Sequence, residues 1–201
     1  SSASFFILAA LICPKSELLI KNVGINQTRI GLLHALRHMG ANIQLLNQTE
    51  NIEPTADILV KSSNLKGIIL NKNLVANMID EMPVFFIAAA LSDGITIVKD
   101  AKELRTKESD RLQAMADALS SFGIKHDLEE DGIKIYGLGP KGVLKSTNIS
   151  SYGDHRIAMA SAIASLRSEN KVKVFDCVNV NTSYPNFIDT CKEIGIEIEQ
   201  S

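Results

Sequence analysis

The sequence predicts a mixed α/β domain built from one unit written three times, and three observations predict it. Apolar stretches of helical length recur at residues 5–11, 85–91 and 157–166. Each is followed by a short strand pattern, at residues 17–23, 94–98 and 171–175. Each then leads into an amphipathic helix ending at Gly40, Gly123 or Gly195, with a further strand pattern behind the glycine. A fixed order that recurs at intervals of tens of residues is the signature of a repeat architecture.

The first copy opens on Phe5-Phe6-Ile7-Leu8-Ala9-Ala10-Leu11. This run is apolar all round, which implies a fully buried helix. It lacks the basic leader of a signal peptide and is too short to span a bilayer. We read it as a buried helix at a cut end, so the chain is expected to be a fragment. Residues 17–23 form the first strand and 29–39 the amphipathic helix, with Gly40 in the C-cap region. The polar stretch 47–57, with Pro54, reads as a loop before the copy's last strands.

The second copy repeats the order with Phe85-Phe86-Ile87-Ala88-Ala89-Ala90-Leu91, a strand at 94–98, a helix at 108–122 and Gly123. Glu130-Asp131-Gly132 between 125–128 and 133–136 predicts a hairpin turn. The third copy has its buried helix at 157–166, a strand at 171–175, a helix at 184–193, and a closing strand at 195–198. The copies divide at about 1–75, 76–148 and 149–201. No linker separates them and each has too little core to stand alone. Residues 1–201 are therefore expected to fold as one domain, with the apolar helices packed together inside and the sheets outside.

With 45% hydrophobic and 22% charged residues, the composition is that of a soluble protein with a sizeable core. A net charge of −2 leaves no electrostatic footprint for nucleic acid or an anionic membrane. Any anion site must be local. Cys13, Cys177 and Cys191 are odd in number and widely spaced, which argues against a disulfide framework or zinc site and fits a reducing cytoplasm.

Chemistry concentrates in three short segments. Arg105-Thr106-Lys107-Glu108-Ser109-Asp110-Arg111 precedes an apolar helix, and a helix start gathers N–H donors and a positive dipole end. Lys107 and Arg111, four apart, fall on one helix face and make a site for phosphate or carboxylate, with Glu108 placed to exchange protons. The alternative is a set of solvated first-turn charges, with Arg111 paired to Asp110 or Gln113. Asp80 stands before the second buried helix, as a functional carboxylate or as a plain cap. Asp154-His155-Arg156 opens the third, and burying such residues unpaired is costly. The planar fork of Arg156 suits carboxylate or phosphate; Asp154 either orients it or caps the helix. If the copies pack alike, the three charged starts converge on one face.

These segments, together with Met78-Ile79-Asp80-Glu81-Met82-Pro83 and Tyr152-Gly153-Asp154-His155-Arg156-Ile157-Ala158-Met159-Ala160, resemble the motifs of the EPSP synthases, in order and spacing along the whole chain. The resemblance implies an inside-out α/β barrel domain of three β-α-β-α-β-β units, the C-terminal one of two domains, with the N-terminal domain absent. It implies transfer of the carboxyvinyl group of phosphoenolpyruvate to the 5-hydroxyl of shikimate 3-phosphate, with no cofactor and no metal. By position in the motifs, Asp80 and Glu108 match the catalytic carboxylates, with Asp80 also holding the sugar hydroxyl; Glu81 is the neighbour most easily confused with it. Lys107, Arg111, His155 and Arg156 match substrate-binding residues, and Asp154 a supporting one.

Two positions depart from the pattern. Thr182 stands where some members carry a lysine, and Glu103 where some carry an asparagine. Three rivals remain at this stage: the sister enzyme acting on a UDP-amino sugar, a non-catalytic domain of the same fold, and an RNA-end-processing relative. Lys107, Glu108 and His155 weigh against the first, the retained charged motifs against the second, and the missing basic surface against the third.

Overall fold

Fully apolar helices need a core on every side, and this chain supplies one by stacking three of them. The structure is a computed structural model that describes residues 1–49 and 52–200. The first copy runs α1 (Ala3–Ile12), β1 (Glu17–Gly24), α2 (Gly31–His38), β2 (Asn42–Leu46) and β3 (Thr55–Lys61). The second runs α3 (Lys72–Asn77), a 3₁₀ turn (Ile79–Glu81), α4 (Met82–Ala90), β4 (Ile95–Val98), a second 3₁₀ turn (Lys102–Thr106), α5 (Arg111–Ser121), β5 (His126–Leu128) and β6 (Ile133–Tyr136). The third runs β7 (Asn148–Ser150), α6 (His155–Ala164), a 3₁₀ turn (Ser165–Arg167), β8 (Lys173–Phe175), α7 (Val178–Ser183) and α8 (Phe187–Glu193).

Helices α1, α4 and α6 each touch the other two. Leu8, Phe85, Phe86, Ile87, Ile157 and Ile163 from these helices are wholly or almost wholly buried. The sheets lie outside them, ordered β1-β3-β2 and β4-β6-β5, both antiparallel. In β3 every second side chain, Ala56, Ile58 and Val60, points into the core, as the period of a half-buried strand requires. Among the described residues no helix is long and apolar enough to cross a membrane.

The three glycine stops behave alike. Gly40, Gly123 and Gly195 have φ of +91°, +78° and +86°. In each case the next residue's N–H returns to the carbonyl five residues earlier: Ala41 to Leu36, Ile124 to Leu119, Ile196 to Cys191. This is the Schellman closure, and its left-handed residue strongly favours glycine.

Each buried helix of the second and third copies is also preceded by extended chain that sequence reading missed. Lys66 and Ile69 bridge Asp93 and Ile97 in parallel, and β7 runs parallel to β8. A strand, a buried helix and a parallel strand form a crossover unit, as β7, α6 and β8 do in the third copy. Only isolated bridges hold the leading segment at 66–69, so no strand pattern is legible there.

Four expectations need correction. The helix read as 108–122 begins only at Arg111, because the Asp110 side chain accepts the Gln113 N–H (3.0 Å) and caps it there. The helix read at 184–193 begins only at Phe187, as α8, since Pro185 forces Tyr184 out of helical geometry (φ −145°, ψ 81°); α7 precedes it, where no helix was expected. The strand read at 195–198 does not form: β2 and β5 each pair with the strand that follows them, and no such strand follows Gly195 among the described residues. The loop read as 47–57 gives way to β3 at Thr55, and its residues 50–51 lie outside the described ones.

At the C-terminal ends of the inner helices, Arg167 donates to the carbonyls of Ile12 (2.8 Å), Pro140 (2.8 Å) and Gly142 (2.6 Å). One cation thus ties α1, α6 and the chain leaving the second copy. Arg167→Ala is expected to cost about 3 kcal/mol, the upper end for charge-assisted bonds to carbonyls then left without partners. The urea midpoint should fall with the slope unchanged.

Candidate active site

The N-terminal ends of α4, α5 and α6 meet at one side chain. Arg111, the first residue of α5, is 0% exposed, and its guanidinium is held by carboxylates from three separate motifs. Its Nε donates to Asp154 Oδ2 (2.7 Å) and its Nη1 to Asp80 Oδ1 (3.0 Å); its Nη2 donates to Glu108. The exposed pair with Asp110 or Gln113 is not formed. Asp110 instead caps α5 and receives Arg105 (2.9 Å).

Asp154, itself fully buried, uses both oxygens. Oδ1 caps α6 by accepting the Arg156 N–H (2.9 Å), while Oδ2 accepts Arg111 and the Ser109 hydroxyl (3.2 Å). It is a cap, as one reading had it, but the guanidinium it orients is that of Arg111 and not Arg156. Sequence spacing gave no sign of this contact, which spans 43 residues.

Asp80 lies in the 3₁₀ turn ahead of α4, held by a backbone contact as well as by Arg111. Its carbonyl accepts Arg156 Nη1 (2.9 Å), and its carboxylate lies 3.7 Å from Lys107 Nζ and 3.8 Å from Arg156 Nη2. Glu81, nearly buried, faces Arg156 at 3.7 Å. The Arg156 Nε is buried and has no hydrogen-bond partner among the described residues.

Lys107 sits at the end of the second 3₁₀ turn, outside the helix, so the one-face argument for Lys107 and Arg111 does not apply. Both nonetheless reach Asp80. Lys107 also pairs with Glu103 at 2.6 Å, an i,i+4 contact legible in the sequence and passed over. The loop carrying Lys107 and Glu108 is pinned from below by Arg105, which donates to the carbonyls of Glu130 (2.7 Å) and Glu129 (2.8 Å) in the β5–β6 turn. His155 opens α6, half-buried.

The electrostatics follow from this packing. Burial by itself would raise the Asp80 carboxyl, but Arg156, Lys107 and Arg111 together hold it below the usual carboxylate range. Arg111 would lose basicity by burial, yet Asp154, Glu108 and Asp80 raise it further, so it stays charged. Burial and then Arg156 lower His155 below the usual imidazole value, against the opposing pull of Asp154 and Glu108, so the ring is neutral at pH 7. Cys191 is pushed up to about 11 by burial, which leaves a protonated packing residue with no nucleophilic character.

The lowered Asp80 value sets an acid limit. A carboxyl whose folded value lies below its unfolded one contributes stability that is present above about pH 4 and is lost as pH falls through the folded value. In Asp80→Asn, urea midpoints measured from pH 6 to pH 2 should decline less steeply below pH 4 than in the wild type.

The arrangement presents two half-exposed carboxylates, Asp80 and Glu108, on one buried guanidinium, with Lys107 and Arg156 at the margins. Three helix N-termini add positive potential to the same rim. Such a site can bind an anion beside groups that take and return protons.

Known proteins resemble this chain throughout. The family model for EPSP synthase (3-phosphoshikimate 1-carboxyvinyltransferase) matches residues 1–191. A curated 3-phosphoshikimate 1-carboxyvinyltransferase from Ruthia magnifica is 50% identical over 98% of this chain and 45% of its own length. One from Legionella pneumophila (strain Lens) is 47% identical over 100% of this chain and 46% of its own. Among solved structures, EPSP synthase from Acinetobacter baumannii superposes with a TM-score of 0.95 at 41% identity, over 98% of this chain and 46% of that one. The enolpyruvyl transferase NikO from Streptomyces tendae, at 15% identity and a TM-score of 0.80 over 100% of this chain and 43% of that one, shares the fold. The chain thus spans about half the length of the curated relatives it matches.

Proposed function

The chain belongs to the EPSP synthase family, and from that premise we propose that it forms one wall of an active site transferring the carboxyvinyl group of phosphoenolpyruvate to the 5-hydroxyl of shikimate 3-phosphate. Residues 1–201 are on this reading the C-terminal domain of a cytoplasmic enzyme of the shikimate pathway. An N-terminal domain supplies the facing wall, in keeping with relatives about twice as long. The observation that carries the reading is the convergence of Asp80, Glu108 and Asp154 on the buried Arg111.

The reaction needs a proton removed from the hydroxyl and one added to the methylene carbon as the C–O bond forms. The resulting tetrahedral adduct then loses a methyl proton as its C–O bond to phosphate breaks and phosphate leaves. Asp80, held ionised by three cations, is suited to accept the hydroxyl's hydrogen bond and orient its oxygen. Glu108, half-exposed and paired with one guanidinium, is the group placed to carry the proton to and from the methylene carbon. Arg156 and Lys107, at the margins of the site, offer donors to phosphate and carboxylate, and Arg111 completes the cationic wall. Neutral His155 at the head of α6 is placed to touch substrate as a hydrogen-bonding group and not as a cation. No step calls for a metal or organic cofactor.

The test is a coupled phosphate-release assay with both substrates. The 201-residue chain alone should show no turnover, because an open wall leaves its carboxylates hydrated and its cations screened. Adding the N-terminal half of a family member should restore release that depends on both substrates. Robust turnover by the chain alone would defeat the two-wall reading, and activity with a UDP-amino sugar in place of shikimate 3-phosphate would reassign the acceptor.

A further inference from the structure

Lys107, Arg111 and Arg156 face five carboxylates, so the formal charge of this wall is negative. Withdrawal of one of these negative charges would favour an anion on this wall. Asp154 is buried and caps α6, and Asp80 and Glu108 are fastened to the guanidinium of Arg111. Glu81 is nearly enclosed. Glu103 differs: its side chain is 59% exposed and its one ion pair is with Lys107, at 2.6 Å.

We infer that Glu103 is an exchangeable counter-ion, an affinity-determining residue that occupies Lys107 until the substrate's anionic group displaces it. Lys107 is 22% exposed and 3.7 Å from Asp80, so with Glu103 gone its ammonium is left beside the reacting carboxylates with donors to spare. The displaced carboxylate has a place to go. Glu103 also lines a separate open cleft of about 390 Å³, shared with Lys72, Asn73, Asn77 and Asp100. Lys72, 74% exposed and paired with Asp100, is a second cation lining that cleft. The observed position of the side chain occupies Lys107, and the open cleft beside it leaves room for the side chain once it is displaced. The cost of displacing Glu103 is limited because its own carboxylate is largely exposed, at 59%.

This inference rests on the reading of Lys107 as an anion ligand, and the experiment separates the two. Inorganic phosphate and phosphoenolpyruvate are titrated into the 201-residue chain, followed by NMR shifts, for the wild type, Glu103→Gln, Lys107→Gln and the double variant. Glu103→Gln should tighten both anions about two- to fivefold, the worth of an exposed ion pair, and the gain should shrink in high salt. In the Lys107→Gln background the Glu103 change should give no gain, whereas a general field effect of the lost charge would persist. Weaker binding in Lys107→Gln with no gain in Glu103→Gln overturns the counter-ion and leaves the anion site standing. Unchanged binding in Lys107→Gln removes both. Glu103 is exposed in a short 3₁₀ turn, so its substitution leaves the fold intact.

Discussion

Glu108→Gln lowers kcat by about 10²–10⁴-fold in the assembled two-domain enzyme, the usual worth of a positioned proton-transfer group. The amide keeps the size of the side chain and its hydrogen bond to Arg111 Nη2 through the remaining carbonyl oxygen, so the rim stays in place. What disappears is the ability to hold a proton and release it. The loss should fall mainly on kcat, because the proposed anion ligands Arg156 and Lys107 are left in place. Solvent deuterium offers the sharper readout. If Glu108 carries the proton at the methylene carbon, wash-in of deuterium at that carbon should collapse in Glu108→Gln. In Asp80→Asn, by contrast, the defect should lie in engaging the acceptor hydroxyl. Wild-type turnover in Glu108→Gln would remove the residue from the catalytic set.

The triplicate plan was legible because each copy writes the same physical instructions. These are a helix apolar on every side, a strand, an amphipathic helix, and a glycine at a left-handed stop. The Schellman closures at Gly40, Gly123 and Gly195 show why the glycine signal was dependable: a backbone need fixes the residue type. Where the chain departed from the reading, the cause was either a competing local bond or a partner outside the window. Asp110 starts α5 three residues later than periodicity suggests. Residues 195–198 carry strand composition, but among the described residues no strand follows them to pair with, as one follows β2 and β5.

At the site, residue types and motif order were sufficient to gather Asp80, Lys107, Glu108, Arg111, Asp154 and Arg156 on one rim. Their wiring was another matter. That Asp154 serves Arg111 across 43 residues depends on how α5 and α6 pack, and no local spacing encodes it. Likewise, Lys107 reaches Asp80 from a loop, by tertiary placement and not by helical periodicity. The resemblance to a family named the residues; the geometry shows how their charges are held against one another.

Arg111→Met should cost about 3–5 kcal/mol of stability and lower Tm by roughly 10 °C, because it strands a buried charge. Methionine fills much of the vacated volume, so cavity formation contributes little and the electrostatic loss dominates. Asp154, 0% exposed, keeps the Ser109 hydroxyl and the Arg156 N–H but loses its counter-ion. Asp80 and Glu108, about half exposed, turn to water and lose far less. The asymmetry gives a specific expectation for the double variant. In Arg111→Met/Asp154→Asn the neutral amide still caps α6 through its oxygen and no charge is buried unpaired, so much of the lost stability should return. Asp154→Asn alone should be mild in stability, since Arg111 retains two carboxylates. Arg111→Lys should fall between, restoring the charge but lacking the fork that engages three acceptors in different directions. Equilibrium unfolding of the four variants decides the matter. A loss under 1 kcal/mol in Arg111→Met, or strict additivity in the double variant, would mean that the Arg111–Asp154 pair does not hold the three motifs together.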